Sequence, residues 1–231
     1  GMQSNRSILL ILNALLIGLC LTQAVAQRPV PRSQTVASLN KQFLVRISGR
    51  YYEGFAGDQE IILMDSVGES ISTQTIPRRF LILPAVSDIG DVAITHREIK
   101  IFDKSMLLKG SYPFKSGEVP YYIDDYQGSV HGFSPGGTHY LLVAMLPGDP
   151  RIASLVCLTD SAQERWRADF GNLWPSEILF HEDKIIVYGS GSPGATSRKY
   201  CHILDLDGDI LWKYETQSRL RTDWSVALDS V

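Results

Sequence analysis

The chain has 231 residues, of which 44% are hydrophobic and 20% are charged, and its formal net charge is −3. This length and apolar content fit one folded domain with a sizeable core and exclude a disordered chain. The mild negative charge argues against a nucleic-acid-binding protein, which would carry a basic stripe.

The first 26 residues have the pattern of a secretory signal peptide. Arg6 precedes the apolar stretch Ile8–Leu21, and Ala24–Ala26 supplies small residues at the positions that signal peptidase reads. The stretch has 14 residues, whereas a membrane-spanning helix needs roughly 20. We therefore expect cleavage before Gln27, a secreted or periplasmic protein, and no integral membrane segment after cleavage. An uncleaved anchor is the alternative.

Residues 27–38 begin with prolines and arginines, a composition typical of a semi-rigid linker. The sequence then predicts a folded domain over residues 39–231. The segment Gln34–Phe43 also has the pattern of a short helix.

An Asp or Thr between two apolar runs recurs four times, and we call these residues anchors. The anchors are Asp65, Asp103, Thr159 and Asp205, separated by 38, 56 and 46 residues. The third residue after each anchor is Gly68, Met106, Ala162 or Gly208, and the seventh is Ser72, Gly110, Trp166 or Trp212. Such repeats are typical of stacked units, because a single four-stranded unit cannot bury its own face. We expect Trp166 and Trp212 to be packing residues.

Runs of β-branched and aromatic residues between Gly, Pro and Asp residues predict four antiparallel strands per unit. The first, less clear unit has three plausible strands: Phe43–Tyr52, Glu60–Met64 and Ser70–Thr75. The second has Leu81–Ser87, Asp91–His96, Glu98–Phe102 and Leu107–Tyr112. The third has Val130–Ser134, Tyr140–Leu146, Ala153–Leu158 and Glu164–Phe170. The fourth has Glu177–His181, Lys184–Gly189, Tyr200–Asp205 and Ile210–Thr216.

The two cysteines of the domain, Cys157 and Cys201, lie on the same face of equivalent predicted strands. Adjacent sheets meet by opposite faces, so these two side chains should not approach each other. We expect two buried thiols rather than a disulfide.

The segment HILDLDGDILWKYE (His202–Glu215) resembles the repeat of pyrroloquinoline-quinone-type β-propellers, and HGFSPGGTHYLLVAM (His131–Met145) is similar to the hairpin of WD-repeat-like propellers. The resemblance implies an all-β, propeller-like array of about four to five four-stranded blades, and it implies no particular activity. Propellers usually close with about 4–8 blades. A small or incomplete ring, a fragment of a longer protein and a ring shared by two chains all fit the sequence.

Three motifs suggest chemistry, but each fits a structural role better. Asp205, Asp207 and Asp209 lack the spacing of a calcium loop and fit a hairpin turn. The motif Gly189-x-Gly191-x-x-Gly194 matches a dinucleotide fingerprint by its letters, but it contains a proline and leads into a strand. His131 and His139 flank one turn and fit a cross-strand pair better than a metal site. We therefore expect no metal and no cofactor.

Long segments should cluster at one face, because second-to-third strand loops and blade connections emerge together in a propeller. These segments are Lys115–Gly128, Pro147–Arg151, Phe170–Glu177 and Ser190–Lys199, whereas the anchor turns at the other face are short. A rigid scaffold that carries varied long loops on one face is typical of a binding surface. The predicted ligand-binding residues are Tyr121, Tyr122, Asp124, Asp125, Tyr126, Arg151, Trp174 and Arg198. Arg78 and Arg79, in the first blade connection, are secondary candidates.

The sequence therefore favours an exported propeller-type binding or scaffold module that recognises a protein or a glycan. The alternative is a small carbohydrate-active enzyme in which Asp124 or Asp125 acts with Glu177. That alternative requires two carboxylates roughly 5–10 Å apart.

Overall fold

The computed structural model describes residues 30–52, 55–76, 83–95, 97–120, 130–146, 152–171, 173–191 and 199–216. These residues form 17 strands and one short 3-10 turn, Pro135–Gly137. The expected all-β fold is confirmed. Within the described ranges, no helix is both long and apolar enough to cross a membrane. The signal-peptide pattern lies outside them.

Four antiparallel sheets follow one another along the chain, each with its strands in sequence order. Sheet 1 comprises β1 (Val30–Ala37), β2 (Phe43–Tyr52), β3 (Phe55–Asp65) and β4 (Ser70–Ile76). Sheet 2 comprises β5 (Leu83–Val86), β6 (Val92–Thr95), β7 (Glu98–Phe102) and β8 (Leu108–Pro113). Sheet 3 comprises β9 (Val119–Pro120), β10 (His131–Phe133), β11 (His139–Leu146), β12 (Ile152–Thr159) and β13 (Glu164–Gly171). Sheet 4 comprises β14 (Leu173–His181), β15 (Lys184–Gly191), β16 (Lys199–Asp205) and β17 (Ile210–Thr216).

The middle strands are apolar on both faces because each inner sheet is covered on both sides. In β12, the residues from Ala153 to Leu158 are all buried. The side chains of Val156 and Leu158 join a cluster shared with sheet 2, and those of Leu155 and Cys157 join a cluster shared with sheet 4. A third cluster joins sheets 1 and 2 through residues such as Val45 and Ile94. The sheets therefore stack face to face in chain order, and each buried Leu, Ile or Val contributes about 1.5–3 kcal/mol.

The first strands of neighbouring sheets approach one another, β1 against β5 and β5 against β10. The fourth strands are the most exposed, and in β17 every residue from Ile210 to Glu215 is exposed. The first strand of each sheet therefore lies toward the centre of the array and the fourth toward its rim.

The four anchors make the same turn between the third and fourth strands of their sheets. One side-chain oxygen of each anchor accepts hydrogen bonds from the backbone N–H groups two and four residues later, at 2.8–3.3 Å. The N–H of the third residue donates to the anchor's carbonyl oxygen. That third residue has a positive φ in every turn, whether it is Gly68, Met106, Ala162 or Gly208. The sequence repeat therefore corresponds to one turn geometry.

The seventh residue after an anchor contacts the anchor turn of the following sheet, and we call this the seventh-position contact. Ser72 Oγ donates to the carbonyl oxygen of Lys104 at 2.8 Å, and Trp166 Nε1 donates to that of Leu206 at 2.8 Å. Gly110 lies so close to the next turn that a Cβ would be 2.0 Å from the Ser161 carbonyl oxygen. These contacts lock sheet 1 to sheet 2, sheet 2 to sheet 3, and sheet 3 to sheet 4.

Trp212 departs from the predicted packing role. It lies on the rim strand β17 with 48% of its surface exposed, and its ring stacks on Tyr214 with centroids 5.8 Å apart. Trp166 fits the prediction because the turn of sheet 4 covers it. The difference is non-local: Trp212 would need the turn of a further sheet, and the described residues contain none beyond sheet 4.

The predicted short helix over Gln34–Phe43 is wrong. Residues 34–37 belong to β1, which pairs with β2 from Val30↔Tyr51 to Ala37↔Leu44, and residues 38–42 form the turn between them. The sequence predicted only three strands for sheet 1. Most of the segment 27–38, predicted as a linker, forms the missing one, which is the first strand, β1. Proline is tolerated there because β1 pairs on one side only.

Cys157 and Cys201 are both buried and free. Cys157 packs in the cluster between sheets 3 and 4, together with Tyr200 and Leu204 of β16. Since successive side chains of a strand alternate, Cys201 lies on the opposite face of sheet 4. Burial raises the pKa of both thiols, that of Cys157 to about 12, so neither is poised as a thiolate.

Candidate binding surface

One end of the sheets, which we call the loop end, carries the connections between the second and third strands. These have two residues in sheets 1 and 2, five in sheet 3 (147–151) and seven in sheet 4 (192–198). The anchor turns at the opposite end have four or five residues, so among these connections only that of sheet 4 is longer than every anchor turn. Contrary to the prediction, Phe170–Glu177 is not a long loop, because β13 ends at Gly171 and β14 begins at Leu173.

The first strand of sheet 3, which lies toward the centre of the array, is split into β9 and β10, both of which pair with β11. Pro120 lies opposite Ala144, and the Val130 carbonyl oxygen accepts a hydrogen bond at 2.9 Å from the N–H of Val143, the residue before Ala144 on β11. The chain therefore leaves the edge of β11 at Pro120 and is back beside it at Val130, at adjacent register positions, and residues 121–129 are inserted between these two in the sequence. This nine-residue insertion carries the Tyr and Asp residues that the sequence singled out.

Two aliphatic side chains are exposed together at the loop end of sheet 3. Leu146 and Ile152 are 42% and 40% exposed, and they pair directly across β11 and β12, so their side chains share one face of the sheet. We call these two residues the apolar patch; they flank the connection 147–151. Val119, 41% exposed, pairs with Met145 and therefore lies on the opposite face. Sequence reasoning missed the patch because both residues continue apolar runs whose other members are mostly buried.

A polar network holds the turn that leads into β9. Arg167 Nη1 donates to Glu118 Oε1 at 2.7 Å, and both side chains are largely buried. Arg167 also donates to Tyr112 and lies beside Glu164, which accepts a hydrogen bond from the Tyr112 hydroxyl. Glu118 in turn accepts the N–H of Lys115 at 3.1 Å. The network therefore fixes Glu118, the residue immediately before β9.

The ionisation of this network follows from burial and charge. Burial raises the pKa of Tyr112 to about 12, aided by its hydrogen bond to Glu164. Burial by itself would raise the pKa of Glu164, but hydrogen bonds from Tyr112 and Arg167 outweigh it and lower the pKa. For Arg167, the acidic partners outweigh burial and raise the pKa. Glu164 is therefore a carboxylate, Arg167 a guanidinium and Tyr112 a neutral phenol at neutral pH, and the network has a structural role rather than that of an acid–base pair.

On the other side of the insertion, a chain of hydrogen bonds leads inward from β10. His131 Nδ1 lies 3.0 Å from the Tyr140 hydroxyl, which lies 2.7 Å from Thr95 Oγ1. Burial lowers the pKa of His131 to about 4, so its imidazole is neutral. The chain joins sheets 2 and 3 beneath the point where the insertion returns.

Most of the predicted binding residues lie outside the described residues. These are Tyr121, Tyr122, Asp124, Asp125, Tyr126, Arg151 and Arg198, as well as Arg78 and Arg79. Trp174 is described: it is half-buried on β14 opposite Ser190, close to the loop end. Its carbonyl oxygen would lie 1.9 Å from a Cβ at Gly189, so the backbones of β14 and β15 are in tight contact there.

Glu177, one partner of the predicted carboxylate pair, lies within β14. It is half-buried and accepts a hydrogen bond from the hydroxyl of Tyr188, its cross-strand neighbour. Asp124 and Asp125, the other candidates, lie outside the described residues.

The motifs that resembled ligand sites have structural roles. Both N–H bonds that define the last anchor turn end on Asp205 Oδ1, as in the other turns. Gly189 and Gly191 lie in the strand β15 and not before a helix. The predicted His131–His139 cross-strand pair is wrong: His131 lies opposite Leu142, and His139 bonds to Arg165 and Thr138. No group of three metal-ligating side chains occurs among the described residues.

No protein-family model and no curated protein matches the chain by sequence. Solved structures match it by fold. A eukaryotic initiation factor superposes with a TM-score of 0.54 at 12% identity, over 80% of this chain and 43% of that one. The Dos1 propeller superposes with a TM-score of 0.52 at 15% identity, over 83% and 48%. Acylaminoacyl peptidase superposes with a TM-score of 0.55 at 11% identity, over 83% and 33%.

At these identities the likeness concerns the fold alone. The chain spans less than half the length of each of these structures. Its four described sheets are the blades of a β-propeller fold.

Proposed function

We propose that the protein is an exported β-propeller module that binds a protein partner at the loop end of its third and fourth blades. The observation that carries this proposal is the apolar patch, Leu146 and Ile152, exposed side by side where β11 and β12 end on a rigid scaffold. Clustered exposed aliphatic side chains of this kind are typical of interaction sites.

The composition around the patch favours a protein over a glycan. Aliphatic groups form the desolvated centre of protein interfaces, whereas tyrosine and arginine enrich them and charged groups surround them. The adjoining loops supply these types through Tyr121, Tyr122, Tyr126 and Arg151, with Asp124 and Asp125 as acceptors. Trp174 and Arg198 extend the proposed surface onto the fourth blade.

Two further features belong to this proposal. The pattern of residues 1–26 supports export, with the mature protein beginning at Gln27 in the periplasm or outside the cell. The Asp-x-x-Gly turn and the following Trp-bearing strand support a repeat of the pyrroloquinoline-quinone type in the fourth blade.

The test is a quantitative pull-down from an envelope or culture-medium extract of the source cells, with the mature protein as bait. Export is tested separately: mass spectrometry of this protein, isolated from the source cells, should find Gln27 at its N-terminus. The double variant Leu146→Glu/Ile152→Glu should lose the specifically retained protein, and titration with that purified partner should show binding weaker by roughly tenfold or more.

Leu107→Glu is the matched control, because Leu107 is 67% exposed in an anchor turn at the opposite end. It should bind like the unmodified protein. Equal retention of the partner by the double variant would contradict the proposal. Binding to glycans on an array, with no specifically retained protein, would also contradict it.

A further inference from the structure

The seventh-position contacts follow a rule of size between neighbouring blades. Trp166 covers a turn whose third residue is Gly208, and a Cβ there would lie 2.6 Å from the indole ring. The smaller Ser72 and Gly110 meet turns whose third residues are larger, Met106 and Ala162, both buried. Tryptophan at the seventh position therefore goes with glycine in the turn that receives it.

One seventh-position residue and one anchor turn make no seventh-position contact within the described residues. Trp212 occupies the seventh position of the fourth blade, on a strand that also exposes Ile210 and Leu211. At the other end of the array, the described ranges contain no blade before the first one, so none of them supplies a contact to its anchor turn. Its Val67 is 79% exposed, and a Cβ on Gly68 would meet nothing within 4 Å.

The unmatched turn has the shape that a tryptophan requires. Gly68 has φ +88°, against +91° for Gly208, which contacts Trp166. Gly68 is also the only glycine besides Gly208 at the third position of the four anchor turns. The exposed Trp212 and the exposed turn Asp65–Gly68 are therefore the two halves of the contact that Trp166 and Gly208 complete.

We propose that two copies of this chain associate head to tail, with Trp212 of each copy packed on the Asp65–Gly68 turn of the other. By analogy with the bond from Trp166 to Leu206, the Trp212 indole N–H would donate to the carbonyl oxygen of Ser66, the residue after the anchor. A heterologous contact closes a ring when its rotation permits, and two four-bladed copies would form about eight blades, which is within the range of known propellers.

Two observations support a second copy as the partner. The contact would continue the interface that already joins three pairs of blades in the same order. The superposed structures are also more than twice as long as the part of them that this chain covers. This inference goes beyond the proposed function and does not rest on it, since the apolar patch lies at the opposite end of the blades from the anchor turns.

The test is light scattering of the mature protein over a dilution series. We expect a dimer that dissociates on dilution, and a dissociation constant that Trp212→Ala raises by roughly tenfold or more. Because Trp212 is exposed, a melting temperature measured in the monomeric range should not change. Leu107→Ala, at an exposed position outside the contact, should dimerise normally.

Cysteine cross-linking tests the orientation. Mixing a Val67→Cys variant with a Leu211→Cys variant should give a disulfide-linked heterodimer, whereas neither variant alone should cross-link to itself. A protein that stays monomeric at every concentration would overturn the proposal. So would a Trp212→Ala variant that dimerises normally, or cross-linking of either single variant alone with none in the mixture.

Discussion

Gly208 shows how closely the third and fourth blades approach one another. Its φ of +91° favours glycine, and a Cβ would lie 2.6 Å from the Trp166 ring. Gly208→Ala should therefore combine left-handed strain of about 1–2 kcal/mol with overpacking of about 1–3 kcal/mol. Gly136→Ala isolates the strain, because Gly136 has φ +74° and open space around it. Urea unfolding should show a clearly larger loss for Gly208→Ala; equal losses would mean that the blades separate easily.

The anchor turn is the structural element that the sequence predicted most completely. Its geometry depends on one side-chain oxygen and the four residues after it, so a local pattern is enough to identify it. Thr159 fills the position that Asp fills in the other three turns, and it accepts the same pair of N–H groups.

This equivalence gives a prediction about the turn of the second blade. Asp103 Oδ1 accepts the N–H groups of Ser105 and Leu107 at 2.8 and 2.9 Å. Asp103→Ala removes both bonds and should lower the free energy of unfolding by about 1 kcal/mol, since the freed groups can reach water. Asp103→Thr should restore most of it, as measured by urea unfolding. If the Thr variant is as unstable as the Ala variant, the Asp charge and not the acceptor oxygen stabilises the turn.

Features that depend on distant residues could not be predicted in the same way. The strand β1 was hidden because its prolines resemble a linker, and only its pairing with β2 makes it a strand. Trp166 and Trp212 occupy the same position of the repeat, yet their exposure differs because, within the part of the chain that the structure describes, only Trp166 has a following blade. The apolar patch is likewise decided by where β11 and β12 end and not by residue type. The predicted loop residues 121–126 stay a prediction.

At the scale of the whole molecule, the buried His139 and His202 and the partly buried His131 link stability to pH. Burial lowers the pKa of His131, His139 and His202, that of His131 to about 4. Arg165 also lowers the pKa of His139, against weaker opposing effects of Asp207 and Asp160. For His202, Lys213 lowers the pKa, while Glu215 opposes it.

In the unfolded chain these groups titrate near the ordinary histidine pKa of 6.5, so unfolding takes up protons below that pH. The stability contributed by neutral imidazoles is therefore complete above pH about 6.5 and is lost progressively toward pH about 4. Each histidine can contribute a slope of up to about 1.4 kcal/mol per pH unit. Urea unfolding between pH about 7.5 and about 5 should show this decline. His131→Gln should reduce the slope of stability against pH by up to about 1.4 kcal/mol per pH unit, which is the contribution of one proton. Stability that does not change over this range would mean that the blades open enough to hydrate the imidazoles without unfolding, and that the interior between them is less rigid than its packing indicates.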